Sequence, residues 1–435
     1  MIFSITITNA KFVIFASPEN TLNQINLAEK LLIKLQNSEE FDEEIEKIYK
    51  YLDIVCHENT QFFSYNIEKL EKLMDNYRNN IILKARDMAN NKEFKNAVEF
   101  LESKSELFKD KTTINSLISY YSKFFIKDGL FYYEKTPKIV AINKLIAYPN
   151  LAFCDENTQK DDLDNYYLTS KEFQNFLQEL YNNDYILINI SDIIEIIESK
   201  VCIKDLYLPL NKTPIILIFN NINYFENEPY FVEKFIIDGK DEIACYNSKQ
   251  TEKNQISYNT DFIPILESFI ASHNDFSFNN ARSLVTIDSR GGILGYNINK
   301  NNPNAPNNAS NLKKVVQKLK LLGYSFGYGN FDKNFEVNLD ENLNFIKETL
   351  VPIFGNLNTY FSSFEKNKNN NYYNKLEEIG FKIFIDINQN VCSIKNNKAF
   401  LSTKLLNGNV LREKNNDLNI NFEKIFEHNA RTKLF

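Results

Sequence analysis

Apolar positions along the chain follow one period up to about residue 130 and another from about residue 138. In the first stretch they recur every three or four residues, the spacing that gives a helix one apolar stripe. Ile25, Ala28, Leu32 and Leu35 form such a stripe behind Ser17-Pro18, a cap residue followed by a first-turn proline. Further stripes are Phe41, Ile45, Ile48 and Leu52; Ile67, Leu70, Met74 and Tyr77; and Ile114, Leu117, Ile118 and Tyr121. Between the last two, Ala85, Ala89, Phe94, Ala97 and Leu101 alternate small and large, as a packed helical hairpin requires. Residues 17–130 therefore predict an all-α helical domain without a fixed repeat period. It reads either as a bundle packed on its own core or as a module that binds a partner protein. Residues 1–16 are apolar and end at Phe15-Ala16-Ser17, which reads as a signal-like or β-prone segment. Asn9 and Lys11 interrupt it, and a basic start is missing.

From about residue 138, short β-rich runs alternate with helical stretches, the signature of parallel βα units. The runs are Ile139–Ile146, Tyr185–Ile190, Pro214–Phe219, Ser283–Ile287, Tyr324–Tyr328, Asn358–Phe361 and Phe381–Ile385. Helices are predicted at 169–182, 191–199, 261–272, 310–322, 340–350 and 372–379. This order predicts an α/β fold over 138–435, a (β/α) barrel of fewer than eight units. A hairpin insertion is predicted near 230–247, with Phe231–Ile237 and Glu242–Tyr246 joined around Asp238-Gly239. The asparagine-rich stretches Asn299–Asn311 and Lys366–Asn371 read as surface loops.

Composition narrows the function classes. A net charge of −7, with no basic stripe interleaved with aromatics, argues against nucleic acid as the partner. The five cysteines (Cys56, Cys154, Cys202, Cys245, Cys392) are widely spaced and form no CxxC, so neither a disulfide framework nor a structural zinc site is expected. The three histidines (His57, His273, His428) are far apart in sequence. No apolar run is as long as a transmembrane helix. Tryptophan is absent, which leaves 24 Tyr and 36 Phe to supply any sugar-stacking surface. The acidic cluster Asp155, Glu156, Asp161, Asp162 and Asp164 lacks the spacing and glycine of a calcium loop and reads as a solvated loop. Arg290-Gly291-Gly292 follows a strand but matches no phosphate-binding fingerprint.

The buried run Pro214-Ile215-Ile216-Leu217-Ile218-Phe219 ends in Asn220-Asn221, two polar residues delivered to a strand end, where α/β folds do their chemistry. This run takes its place in a longer likeness. Ile142–Phe153, Tyr167–Phe173 with Tyr185–Ile190, Pro214–Phe225, Asp261–Phe278, Gly292–Tyr296 and Gly323–Lys333 resemble, in the same order, segments of the polysaccharide deacetylase (NodB-type) family. The resemblance covers about two-thirds of the chain and leaves the helical region unexplained. It implies a deformed (β/α) barrel and, in active members, a divalent metal, usually zinc, held by two histidines and an aspartate. That metal activates water against an N-acetyl group, while a second aspartate acts as base.

Carried over residue by residue, the base falls on Asn220 and the aspartate ligand on Asn221. The histidine pair falls on Gly329 and Lys333, and a first-strand histidine on Asn143. The later arginine- and proline-rich motif is reduced to Tyr360-Phe361-Ser362-Ser363-Phe364. Amides take no proton near neutral pH, glycine offers no ligand, and an ammonium repels a divalent cation. The expectation is a catalytically degenerate member with no catalytic residues, no metal and no cofactor. It would bind through Asn143, Asn220, Asn221, Tyr224, Tyr328 and Lys333. An envelope glycan or a partner protein is the expected ligand, and the resemblance implies a location in the cell envelope or outside the cell. The alternative is an active zinc-dependent deacetylase of N-acetylated polysaccharide or peptidoglycan. A third reading leaves the barrel as an inert scaffold for the helical region.

Overall fold

The computed structural model describes Lys30 and residues 64–106, 108, 110–124, 129–330, 339–362, 370–387, 392–413 and 416–431. The segment 1–16, the stripes of 17–63 apart from Lys30, His57 and Lys333 lie outside the described residues. The chain divides into two compact units, 1–132 and 133–435. In the first, the helices Ser64–Asn90, Phe94–Ser105 and Thr112–Ser122 are followed by the short strand Leu130–Tyr132. Ala97, Val98 and Leu101 of the middle helix and Ile114 and Tyr121 of the last are buried. Phe94 stacks on Phe124 with ring centroids 4.4 Å apart.

The second unit is a mixed α/β fold built on a closed barrel of seven parallel strands. These are β1 (Lys138–Asn143), β2 (Thr213–Asn220), β3 (Leu284–Ile287), β4 (Ser325–Asn330), β5 (Thr359–Ser362), β6 (Ile383–Ile387) and β7 (Lys398–Leu406). They stand around the barrel in chain order, and β7 closes against β1 through Lys404↔Val140 to Leu406↔Ile142. One edge of β2 carries two neighbours: Tyr185–Leu187 pairs with its first half and β3 with its second.

Alternation along the strands sorts their side chains between two cores. Ile139, Ala141, Ile216, Ile218, Leu284 and Phe361 cluster in the barrel interior. Val140, Ile142, Ile215, Leu217, Phe219 and Val285 join the larger cluster outside, which includes Phe173 and Phe176 of helix Ser170–Asn182 and Leu312 and Val316 of helix Ala305–Leu322.

Helix Ser170–Asn182 opens with a capping box in which Thr169 and Glu172 satisfy each other's backbone N–H groups. Asp261 caps helix Phe262–Ser272. Leu339–Phe345, a single wide turn at Ile346–Leu350 and Val351–Phe354 occupy the stretch predicted as helix 340–350. Pro352 has no N–H for the preceding turn, which accounts for the widening. The insertion is an antiparallel pair, Lys234–Ile237 with Ile243–Tyr246, extended by Ile256–Ser257.

Asp161, Asp162 and Asp164 of the acidic cluster lie in the helix Lys160–Tyr166 rather than in a loop, and three further elements depart from the sequence reading. Residues 191–199 do not form a helix: Ile194–Ile197 and Lys200–Ile203 make a hairpin, turning at Glu198 and Ser199 with φ of 47° and 66°. Only Ile194 and Val201 of that hairpin are buried, one on each strand, within a run whose isoleucines also fit a helical stripe. The Val201 N–H donates to Asn397 just ahead of β7 (2.7 Å), so the hairpin sits at the N-terminal end of the barrel. Helix Ala305–Leu322 begins inside the asparagine-rich stretch read as a loop, with Pro306 in its first turn. Finally β7, which closes the barrel, was not predicted, because Lys398, Ser402, Thr403 and Lys404 dilute its apolar residues.

Candidate functional site

Asn143 and Asn220 lie opposite each other at the C-terminal ends of β1 and β2. Ile139 and Ala141 precede Asn143 on one face, and Ile216 and Ile218 precede Asn220, so both asparagines top the barrel interior. Their side chains meet: Asn220 Nδ2 donates to Asn143 Oδ1 (3.1 Å). Thr286, on the interior face of β3, donates its hydroxyl to Asn220 Oδ1 (2.9 Å). Asn143 Nδ2 in turn donates to the Tyr166 carbonyl (3.0 Å), reaching the loop that returns to the mouth after β1. Asn220 is buried, whereas Asn143 and Asn221 keep part of their surface.

Asn221 turns the chain out of β2 with φ +59°, a left-handed conformation that asparagine tolerates better than most residues. Its N–H donates to Thr286 Oγ1 (3.2 Å), and its side-chain oxygen accepts from Arg290 Nη2 (2.5 Å). Arg290 is held at the rim by Asp288, which accepts from its Nε (2.8 Å), its Nη2 (2.5 Å) and its backbone N–H (2.9 Å). The Asp288 side chain is 5% exposed and that of Arg290 47%, so the carboxylate faces inward and the guanidinium faces the opening. Asn223 stitches the same two loops, donating to the Gly291 carbonyl (2.5 Å) and accepting from the Asp288 N–H (3.2 Å). Gly292 is required here: its φ is +64°, and a Cβ would lie 2.1 Å from the Tyr224 carbonyl.

A second polar layer lies beside the mouth. Lys144 is 3% exposed. Its ammonium donates to Glu228 Oε2 (2.5 Å) and to the Asn223 carbonyl (3.1 Å), 4.4 Å from the centroid of the Phe231 ring. Burial pulls its pKa below the usual lysine value, against the opposing pull of Glu228. Tyr224 is buried and its hydroxyl donates to Asp261 Oδ2 (2.7 Å), while Phe262 N–H donates to Asp261 Oδ1 (2.7 Å). Burial raises the Asp261 carboxyl to about 7 even though these donors favour its ionised form. The Tyr167 phenol is pushed up to about 12, first by burial and then by the nearby Glu228 charge.

The other residues singled out in the sequence are scattered. Gly329 lies in β4, opposite Phe361 of β5. Tyr328 is 1% exposed, and its hydroxyl donates to Ser289 Oγ (3.2 Å). Tyr360 is equally buried and shares a hydrogen bond with Tyr372. His273 stacks on Phe269 (4.2 Å) and meets Tyr181 edge-on, and Tyr181 stands by Lys212 just ahead of β2, the end away from the asparagines. His428 pairs with Glu423 (2.9 Å). Of the acidic cluster, Asp155 pairs with Lys160, whereas Asp164 is taken by two arginines, Arg412 and Arg431. Thr286, Lys144, Asp261 and Arg431 were not singled out in the sequence. Only the position of Lys144, directly after Asn143, gives a local signal.

The donors at the strand ends do not suit a zinc ion. Asn220 and Asn221 offer neutral amides already engaged in hydrogen bonds, Gly329 offers no side chain, and the Asp288 carboxylate is taken up by Arg290. Among the described residues no three His, Cys, Asp or Glu side chains are placed to share an ion. No described helix is long and apolar enough to cross a membrane. No protein-family model matches this chain, and neither does any curated protein or solved structure.

Proposed function

We propose that this is a catalytically degenerate barrel of the polysaccharide deacetylase type that binds an envelope glycan at its mouth. One observation carries the reading. Where the resemblance puts a base and a metal-binding acid, two amides stand in a neutral chain, Asn143–Asn220–Thr286–Asn221, closed at the rim by Arg290. Such a chain has no group poised to accept a proton near neutral pH. It offers what a polyhydroxylated ligand needs: amide and hydroxyl groups that donate and accept, beside a guanidinium fixed in orientation. Asn143, Asn221 and Arg290, which retain exposure, would touch the ligand, and Asn220 and Thr286 would hold them in place. On this reading the protein works at the cell envelope or outside the cell.

The test is calorimetric titration of the full chain with soluble peptidoglycan fragments and with chitin oligosaccharides, alongside an acetate-release assay in excess Zn²⁺. Saturable binding that weakens at least tenfold in Asn221→Ala/Arg290→Ala, with no acetate released, is the expected result. Acetate release that follows zinc content would replace the proposal with an active deacetylase. Absence of any glycan binding would move the search to a protein partner, with the first unit as the surface to test.

A further inference from the structure

We propose that Arg431 is the positioning residue of the barrel mouth, the end of a strap, residues 407–413 and 416–431, that holds the loop after β1 in place. The inference rests on the reading that the mouth is the binding face. That loop, residues 144–169, returns to the mouth with two residues of its wall. The Tyr166 carbonyl accepts from Asn143 (3.0 Å), and the Tyr167 ring lies 5.2 Å from that of Phe231, with its phenol in the field of Glu228 and Arg290. Its own helices, Pro149–Ala152 and Lys160–Tyr166, are 4 and 7 residues long, each too short to be stable alone.

The strap adds contacts from outside the loop. Arg431 donates through Nε and Nη2 to both oxygens of Glu172 (2.8 and 2.7 Å), in the forked geometry that a guanidinium favours. The same group donates to the Asp164 carbonyl (2.6 Å), the Asp164 carboxylate (2.7 Å) and the Tyr167 carbonyl (2.7 Å). Its plane lies near the rings of Phe153 (5.0 Å) and Phe426 (5.6 Å). The side chains of Arg431 and Glu172 are both 0% exposed, so water does not compete for these bonds. Glu172 also accepts from the backbone N–H groups of Thr169 (2.9 Å) and Glu427 (3.2 Å), and the Thr169 hydroxyl donates to Glu427 (2.6 Å). At the other end of the strap, Gly408 lies so close to the loop that a Cβ would come 1.9 Å from the Asp164 carbonyl. The consequence reaches the mouth through two backbone bonds, Ile146 N–H to Leu168 (2.8 Å) and Ser170 N–H to Ile146 (3.0 Å), which join the start of the loop to its end.

Hydrogen exchange by mass spectrometry on the full chain, without ligand, tests the strap directly. In Arg431→Gln, exchange across residues 145–170 is expected to rise at least tenfold while β5 and β6, across the barrel, stay within twofold of the parent. Arg431→Lys is expected to give a smaller rise confined to the same residues, because an ammonium cannot fork to Glu172 and still span Asp164. Unchanged exchange at 145–170, or an equal rise in all seven strands, would overturn the positioning role. Should Arg431→Gln not fold, Arg431→Lys decides by the same two readings. Glycan affinity measured on the variant that folds separates the two proposals. Loosened residues 145–170 in a protein that binds no glycan would keep the strap and discard the glycan. Intact binding with unchanged exchange would do the reverse.

Discussion

Two polar clusters hold opposite ends of the loop after β1, and they are made of different materials. At the mouth, Asn143, Asn220 and Thr286 form a neutral chain in which each bond joins uncharged groups. At the strap, a guanidinium and two carboxylates meet, and the side chains of Arg431 and Glu172 have no exposed surface. Hydrogen bonds between neutral groups contribute about 0.5–1.5 kcal/mol each and can be exchanged for bonds to a ligand at small net cost. Stranding one member of a buried ion pair costs about 3–5 kcal/mol. The contrast assigns exchangeable contacts to the mouth and fixed ones to the strap.

The largest effect should come from breaking the strap. Arg431→Met is expected to lower unfolding free energy by about 3–5 kcal/mol, since it leaves Glu172 buried and unpaired. Urea denaturation measures this, and a loss below about 1 kcal/mol would mean that the two clusters do not differ in kind.

Asp261 sharpens the comparison from the side of pH. Its carboxyl lies near 7 in the folded chain against an ordinary 3.8, so folding favours the protonated form. The stability tied to that proton is complete below 3.8 and is lost as pH rises through about 7. Relative to Asp261→Asn, which cannot titrate, the parent should lose stability across that window, by at most about 1.4 kcal/mol per pH unit. Parallel stability–pH curves for the two proteins would show that folding does not raise the Asp261 carboxyl above its ordinary value.

A smaller effect is expected at the mouth. Thr286→Val removes the hydroxyl that serves both Asn220 and the Asn221 N–H, and should cost about 1–2 kcal/mol in the same denaturation assay. A cost as large as that of Arg431→Met would make the mouth as rigid as the strap.

Smallest of all, Asn221→Gly should change stability by less than about 0.5 kcal/mol, because glycine accepts the φ of +59° and only the rim bond from Arg290 is lost. Under the proposed function the same change weakens glycan binding several-fold. Equal affinity in calorimetry would remove Asn221 from the ligand contacts.

Much of the barrel was legible because its strands are buried on both faces and read as apolar runs, as in Pro214–Phe219. Legibility ended where burial was one-sided or diluted. Ile194–Ile203 carries isoleucines that fit a helical stripe as well as a hairpin, and β7 mixes lysine and threonine with its leucines. At the site, Asn220 was recognisable from its place at the end of an apolar strand, whereas Asn143 fell inside the run Ile139–Ile146 and was singled out only by the family resemblance. Thr286 was not, because a threonine within a strand is ordinary until its neighbour across the barrel is known.

What the sequence determined by itself is local: the change of period near residue 138, most of the described helices and parallel strands, and the amide that ends β2. Each of these depends on which face of a short segment must leave water, and spacing encodes that. Tertiary structure alone decided which distant residues meet. Closure of the barrel brings Asn220 to Asn143 across 77 positions and to Thr286 across 66. The strap brings Arg431 to Glu172 across 259. Such pairings are chosen by the geometry of packed elements and by the need to satisfy every buried polar group, and no periodicity along the chain records them.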